Sequence, residues 1–241
     1  MKTYTIHFLR HALTKGNIEG RYIGSTDEPL CSEGIAQLRQ MKKDYDYPEC
    51  DVVFTSSLKR CADTAKILYP AKTPIEMHGL DECDFGEFEG HTAAELEPYK
   101  EFGEWLAGGP DAKPLSGESN AEFADRVCDT FQKIVDGLIK TGMQRAAIIT
   151  HGGVIMTLLA AFGVPELPMT EWLCPSGCGY IVRITPSLWC KTGKFEVISD
   201  IPAEPLTDSQ EERLWDYYGE IGEDDDYDYE RDIKEDYNFD E

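Results

Sequence analysis

The sequence lacks any long apolar run. None approaches the roughly 20 residues that a membrane-spanning helix needs, so a membrane-embedded role is not expected. The first residues pass from Met1-Lys2-Thr3 straight into a strand-like stretch, without the apolar centre of a signal peptide. A cytoplasmic location is the expectation. Positive charge is scarce: 23 Lys and Arg face 46 Asp and Glu, for a net charge of -23. That balance argues against nucleic acid and against an anionic membrane surface as partners. Regular cysteine spacing is missing too. The eight Cys are scattered, which favours reduced thiols over a disulfide framework. Cys174, Cys178 and Cys190 do not follow C-x-x-C spacing and have no evident fourth ligand, so no metal site is expected. No internal repeat is visible, and nothing reads as a linker before about residue 201.

What is present suffices for a globular core: 241 residues with 41% hydrophobic content. The acid excess is uneven. Residues 204–241 carry 17 acids against 3 bases, so the rest of the chain is only mildly acidic. A positive pocket for an anionic substrate therefore remains possible in residues 1–203. The expected organisation is one domain over 1–203 and an acidic extension over 204–241. A helix over 208–218, with Leu214 and Trp215, is possible in that extension, but its composition favours a solvated chain.

Hydrophobic patterning organises the domain. Residues 4–9 form an apolar run that ends abruptly in Arg10 and His11, as a buried strand delivering a cation and an imidazole to its carboxyl end. A Gly-, Asn- and Asp-containing loop over 15–29 follows. A helix begins at Ser32, a short β-branched strand covers 51–54, and Thr55-Ser56-Ser57 reads as a cap for a helix over 58–69. A short strand at 74–77 precedes a loop over 80–90, short helices around Pro98, and a Gly/Pro loop over 108–117. The longest helical pattern runs over 119–139, with Phe123, Val127, Phe131, Ile134, Val135 and Leu138 on one face. A buried strand over 145–150 ends in His151-Gly152-Gly153, and an apolar helix covers 154–162. Two last strands, 180–184 and 194–198, are joined by a turn around Thr192-Gly193. Alternating strands and helices of this kind make an α/β fold, three layers with a mostly parallel sheet flanked by helices.

Two strands thus end in histidine, and ligands of such sheets bind at the strands' carboxyl ends. Arg10 stands beside the first histidine, and Arg60 lies in the first turn of the helix after the second strand. Guanidinium forks match phosphate oxygens and stay charged at any working pH. Taken singly, each of these residues has a bland alternative: His11 or His151 as a buried structural histidine, Arg60 as a solvated helix residue. Glu82 has Asp81, Asp84 and Glu87 as acidic competitors. His7 is expected in the core, and His78 and His91 in loops.

The blocks Leu9-Arg10-His11 with Thr14 and Asn17, Gly20-Arg21-Tyr22 with Gly24 and Asp27, and Thr55-Ser56-Ser57-Leu58-Lys59-Arg60 are in register with three more. These are Leu80-Asp81-Glu82 with Phe85-Gly86-Glu87-Phe88-Glu89-Gly90, then Gly117-Glu118-Ser119, then Thr150-His151-Gly152-Gly153. Together they resemble the histidine phosphatase superfamily, in its phosphoglycerate-mutase-like branch, over residues 3 to about 200. The resemblance implies a phosphoglycerate-mutase-like α/β/α sandwich. It implies His11 as the nucleophile that takes up a phosphoryl group, and Glu82 as proton donor to the leaving group. Arg10, Asn17, Arg60 and His151 match its phosphate-binding residues. Arg21, Tyr22 and Gly24 mark a possible substrate loop, in which Arg21 and Tyr22 either shape the pocket or brace the loop. It implies no cofactor and no metal, because the cations are side chains, and a small phosphomonoester as the partner.

The family also contains mutases, which carry a long insertion between the acid and the Gly-Glu-Ser block. Here only about 35 residues separate Glu82 from Gly117, which favours hydrolysis. The local pattern around Glu82 is similar to that of α-ribazole phosphatases and broad-specificity phosphatases. Mutase-type transfer and a non-catalytic phospholigand-binding protein are the alternatives. Three departures stand out. Ala12 replaces a usual Gly and places a methyl against the pocket floor, Leu13 replaces an acid, and Cys31 replaces a capping Ser or Thr, a role open to Ser32.

Overall fold

A computed structural model describes residues 2–202. The chain divides after Pro202, and the expected helix at 208–218 and acidic extension lie outside the described residues. In chain order the domain comprises β1 (Tyr4–Arg10), α1 (Lys15–Ile18), α2 (Ser32–Asp44), β2 (Val52–Thr55), α3 (Lys59–Leu68) and β3 (Ile75–Glu76). It continues with α4 (Ala93–Leu96), α5 (Lys100–Leu106), α6 (Asn120–Thr141), β4 (Arg145–Thr150), α7 (Gly152–Phe162), β5 (Gly163–Val164), β6 (Gly179–Ile184), α8 (Pro186–Thr192) and β7 (Phe195–Ile201).

The strands form one sheet in the order β3-β2-β4-β1-β6-β7-β5. β6 runs against β1 and β7, and every other neighbouring pair is parallel. The two central strands alternate cleanly, as the pleat requires. Ile6, Phe8, Ala146 and Ile148 join a cluster with Phe131, Val135, Leu138, Ile155 and Leu158 of α6 and α7. Leu9, Ala147 and Ile149 join a second cluster with Leu38 of α2 and Cys61, Ala65 and Leu68 of α3. Helices therefore cover both faces, which makes the three-layer sandwich. Leu9 pairs with Ile149 and Arg10 with Thr150, so β1 and β4 end level and place His11 and His151 at one edge.

Several local expectations are corrected. The segment over 15–29 is not all loop, because Lys15–Ile18 forms one helical turn closed by a Thr14–Asn17 capping box. The last long strands are not joined by a simple turn. α8 intervenes, started by Pro186 and ended by Gly193 in the left-handed conformation. β5 was not legible, since two residues carry no period. Ser56 and Ser57 do not cap α3; its N-cap is Leu58, without a side-chain bond. The first helical N–H, of Lys59, is instead taken by Asp27 Oδ1 at 2.6 Å. Nor does Ser32 replace Cys31 at the start of α2. Cys31 itself caps, its Sγ accepting from Gly34 N at 3.3 Å. Ala12 is buried in the cluster with Leu9, Cys61 and Ala65, and its N–H donates to Thr64 Oγ1 at 3.0 Å.

Candidate active site

His11 follows β1 directly and is 4% exposed. Its Nδ1 lies 2.7 Å from the carbonyl oxygen of Ala12. A carbonyl only accepts, so Nδ1 carries the proton and Nε2 the lone pair. Burial, and next the charge of Arg60, hold its pKa down at about 3, with Arg10 acting in the same direction. At neutral pH the ring is therefore uncharged.

His151 follows β4 and is fully buried, its ring centroid 5.1 Å from that of His11. Burial first, then Arg60, keep it neutral too, with its pKa well below the ordinary value. Its surroundings differ from those of His11, because both nitrogens are engaged. Arg60 Nε donates to Nδ1 at 3.2 Å. Nε2 therefore carries the proton, and it lies 2.8 Å from Ser56 Oγ. Ser56 in turn donates to Asp81 Oδ1 at 2.6 Å.

Arg60 is fully buried. Besides His151 it donates to the carbonyls of Thr26 at 2.8 Å and Gly24 at 2.7 Å. Those residues belong to the proposed substrate loop. The backbone N–H groups of that loop face another partner: Glu89 accepts from Gly24, Ser25 and Thr26. The loop is thus fixed through its carbonyls by a cation and through its amides by an anion. Gly24 packs so tightly that a Cβ there would run into the carbonyl of Cys83. Arg21 points elsewhere, bonded to Glu19, Glu95 and the carbonyl of Gly90. Tyr22 packs edge-on against Phe85, Phe102 and Trp105. Both brace the loop through these contacts.

Arg10 donates to the carbonyl of Cys174 at 2.8 Å, while its Nε is buried with no hydrogen-bond partner. The guanidinium lies beside Gly152, where α7 begins, and a helix N-terminus adds partial positive charge. Asn17 uses its side-chain oxygen to accept from Thr14 N, so its NH2 end is what it has to offer a ligand.

Glu82 reaches the same edge. Its oxygens accept from Gly153 N at 3.0 Å and from Cys83 N at 3.1 Å. Burial raises its pKa, against the pull of those two N–H groups and of Arg60 and Arg10. A Cβ on Gly153 would fall 2.5 Å from Glu82 Oε1, so a side chain there would displace the carboxyl. The competing acids are committed. Asp81 binds Ser56 and Ser57, and Asp84 binds Ser25 and Gly86. Glu87 is exposed. Glu82 opens on a cavity of about 350 Å³ lined by Ser25, Asp81, Asp84, Glu118 and Arg126.

Arg126 was not singled out from the sequence. It pairs with Glu118 at 2.7 Å and donates to the carbonyls of Gly79 and Asp81. Its partner is the Glu of the Gly-Glu-Ser block, and its place in the first turns of α6 is the only hint the sequence holds. Ser119 of the same block caps α6 in a capping box with Glu122. His7, as expected, is in the core, and burial holds its pKa down at about 4. No group of three or more His, Cys, Asp or Glu side chains among the described residues is arranged to hold a metal ion.

The family model of the histidine phosphatase superfamily (branch 1) matches residues 6–195. The chain belongs to that superfamily. Membership, together with its phosphatase-named relatives, makes it an enzyme of the hydrolase class. It is 28% identical over 182 residues to an adenosylcobalamin/alpha-ribazole phosphatase of Escherichia coli K12, covering 73% of this chain and 88% of that protein. A 2,3-bisphosphoglycerate-dependent phosphoglycerate mutase 2 of Gloeobacter violaceus is 30% identical over 162 residues, covering 63% of this chain and 72% of the other. In fold the domain resembles the crystal structure of a putative alpha-ribazole-5'-P phosphatase from Escherichia coli, with a TM-score of 0.68 and 24% identity, covering 81% of this chain and 94% of that one. No helix among the described residues is long and apolar enough to cross a membrane.

Proposed function

We propose that this enzyme hydrolyses a small phosphorylated metabolite by transferring its phosphoryl group to Nε2 of His11. One observation carries the reading: the Nδ1–H of His11 is committed to the Ala12 carbonyl at 2.7 Å, which leaves the Nε2 lone pair as the nucleophile. A neutral imidazole attacks phosphorus at pH 7 without losing a proton first. Arg10 and Arg60 supply the positive charge around the phosphoryl oxygens and Asn17 its NH2 end, while His151, neutral and with its one N–H given to Ser56, holds Arg60 in place beside them. The buried Nε–H of Arg10, without an acceptor in the protein, suits an anion. Arg60 contributes charge and the rest of its five N–H donors, since three of them hold Gly24, Thr26 and His151.

Glu82, whose pKa burial raises, gives its proton to the leaving alkoxide as the P–O bond breaks. Water then attacks phosphohistidine, Glu82 takes the water's proton, and phosphate leaves. The reaction draws on side chains of residues 1–203, in the cytoplasm, with 204–241 as an extension. A mutase reading is less well supported. Phosphoglycerates bring a carboxylate and further phosphate, and the cavity beside Glu82 presents Asp81, Asp84 and Glu118 with Arg126 already paired. Like charges there disfavour a substrate that carries further anionic groups beside the phosphoryl group being transferred.

The test is acid-labile ³²P labelling with a phosphomonoester, in the native enzyme and in His11→Ala. Label in the native enzyme alone is expected; label retained in His11→Ala would exclude His11 as the nucleophile.

A further inference from the structure

Two neighbouring carboxyls are tied to the 151–153 segment, one directly and one through a serine. Glu82 accepts from Gly153 N. Asp81 accepts from Ser56 Oγ at 2.6 Å, and Ser56 lies 2.8 Å from His151 Nε2. The protons along this path are all determined. Arg60 Nε can only donate, so His151 Nδ1 accepts and Nε2 donates to Ser56. The single hydroxyl proton of Ser56 then goes to Asp81. His151 and Ser56 are both fully buried, so water does not compete for these bonds. Asp81 is held in turn by Ser57 N and Ser57 Oγ, each at 2.7 Å. The backbone of the same turn is fixed by Arg126 on the Asp81 carbonyl and by Thr150 Oγ1 on the Leu80 carbonyl, at 3.0 and 2.7 Å. The result is a closed ring: Asp81, Ser56, His151, along the chain to Gly153, and back through Glu82.

We infer that Asp81 and Ser56 are positioning residues that set the His151 ring and hold the Glu82 carboxyl in register with it. This rests on Glu82 being the proton donor of the reaction proposed above. Asp81 touches no reacting atom. Its carboxylate orients His151 through the Ser56 hydroxyl, as a carboxylate beyond a histidine fixes tautomer and ring plane in other sites. Its neighbour in the chain then has little freedom, because both ends of the dipeptide are tied to the 151–153 segment. A shift of Glu82 by a fraction of an ångström would lengthen the proton path without emptying the phosphate pocket.

That distinction supplies the experiment. p-Nitrophenyl phosphate releases a weakly basic phenolate that leaves without a proton, whereas phenyl phosphate releases a more basic one that gains from protonation. The full-length enzyme, Asp81→Asn and Ser56→Ala are compared on both substrates by kcat/KM, with far-UV circular dichroism and thermal melting to verify folding. Each variant should lower kcat/KM for phenyl phosphate about 10–100-fold and for p-nitrophenyl phosphate less than about 3-fold. In the native enzyme a slowly exchanging Nε2–H resonance of His151 is expected, lost in Ser56→Ala. Folded variants with an unchanged ratio between the two substrates would overturn the positioning role and leave the phosphomonoesterase reading intact. A native enzyme that turns over neither substrate and takes up no label would overturn both.

Discussion

β1 and β4 lie side by side and both end in histidine, but the two imidazoles are held in different ways. His11 has one nitrogen fastened to its neighbour's carbonyl and the other unengaged by protein among the described residues. His151 has both nitrogens in hydrogen bonds, to Arg60 and to Ser56. Burial keeps both rings neutral. Their difference lies wholly in partners, and it separates a ring that can form a new bond from one that holds its neighbours in place. The same residue type at the same strand end can therefore be reagent or scaffold, depending on what the adjacent helix and loop present to it.

The largest effect should come from His11→Ala. Turnover should fall by roughly 10⁴-fold or more, as for other nucleophile deletions, while chemical denaturation shows a smaller stability loss than for His151→Ala. Removing His151 tests the other half of the contrast. It leaves the buried Arg60 Nε–H without an acceptor and a cavity beside Ser56, so a cost of about 2–4 kcal/mol is expected in a urea titration. Equal stability losses in the two variants would erase the contrast.

Acid should act on both rings. Unfolded histidine titrates near 6.5, whereas His11 is held at about 3 and His7 at about 4, with His151 also well below. Below pH 6.5 the unfolded chain takes up protons that the folded one refuses. Stability should therefore fall as pH falls, from about pH 6.5 down to about 4 for His7 and about 3 for His11. Each ring contributes about 1.4 kcal/mol per pH unit, and His11→Ala should flatten that slope by one proton in melts between pH 7 and 5. Activity has the opposite limb. Glu82 acts while protonated and its pKa is raised, so kcat/KM for phenyl phosphate should decline as pH rises, and Glu82→Gln should remove that decline.

The finest test lies just beyond β1. Cys31 caps α2 through sulfur and also donates to the carbonyl of Leu13. Oxygen accepts more strongly than sulfur, so Cys31→Ser should raise stability by roughly 0.5–1 kcal/mol without altering turnover. A loss of turnover instead would tie the cap to the geometry of His11.

Much of the architecture follows from pattern. Phe123, Val127, Phe131, Ile134 and Leu138 recur at helical spacing, and α6 buries them. The runs ending at Arg10 and Thr150 are strands because apolar, β-branched residues fit a sheet covered on both faces. What escaped was short or contextual. β5 has two residues and α1 a single turn, too little for a period to show. At Thr55-Ser56-Ser57 the composition points to a helix cap, yet the hydroxyls of Ser56 and Ser57 donate to Asp81, a charged acceptor 25 and 24 residues away, and the only local amide they take is that of Leu58, on Ser56. Glu89 and Arg126 escaped for a related reason: Glu89 binds loop amides, which every residue has, and Arg126 binds loop carbonyls and an acid eight residues earlier in the chain.

By itself, the sequence determined the strand ends, the helix that carries Arg60, and the family to which the chain belongs, since each depends on local spacing and on residue types that few other folds bring together in that order. The tertiary structure decided how both nitrogens of His151 are engaged, which of four neighbouring acids binds the Gly153 amide, and that Arg60 holds a loop as well as a charge. Those outcomes depend on distances of about 3 Å between residues tens of positions apart, and hydrogen-bond direction at that range exists only once the sheet has brought the two histidine-bearing edges together.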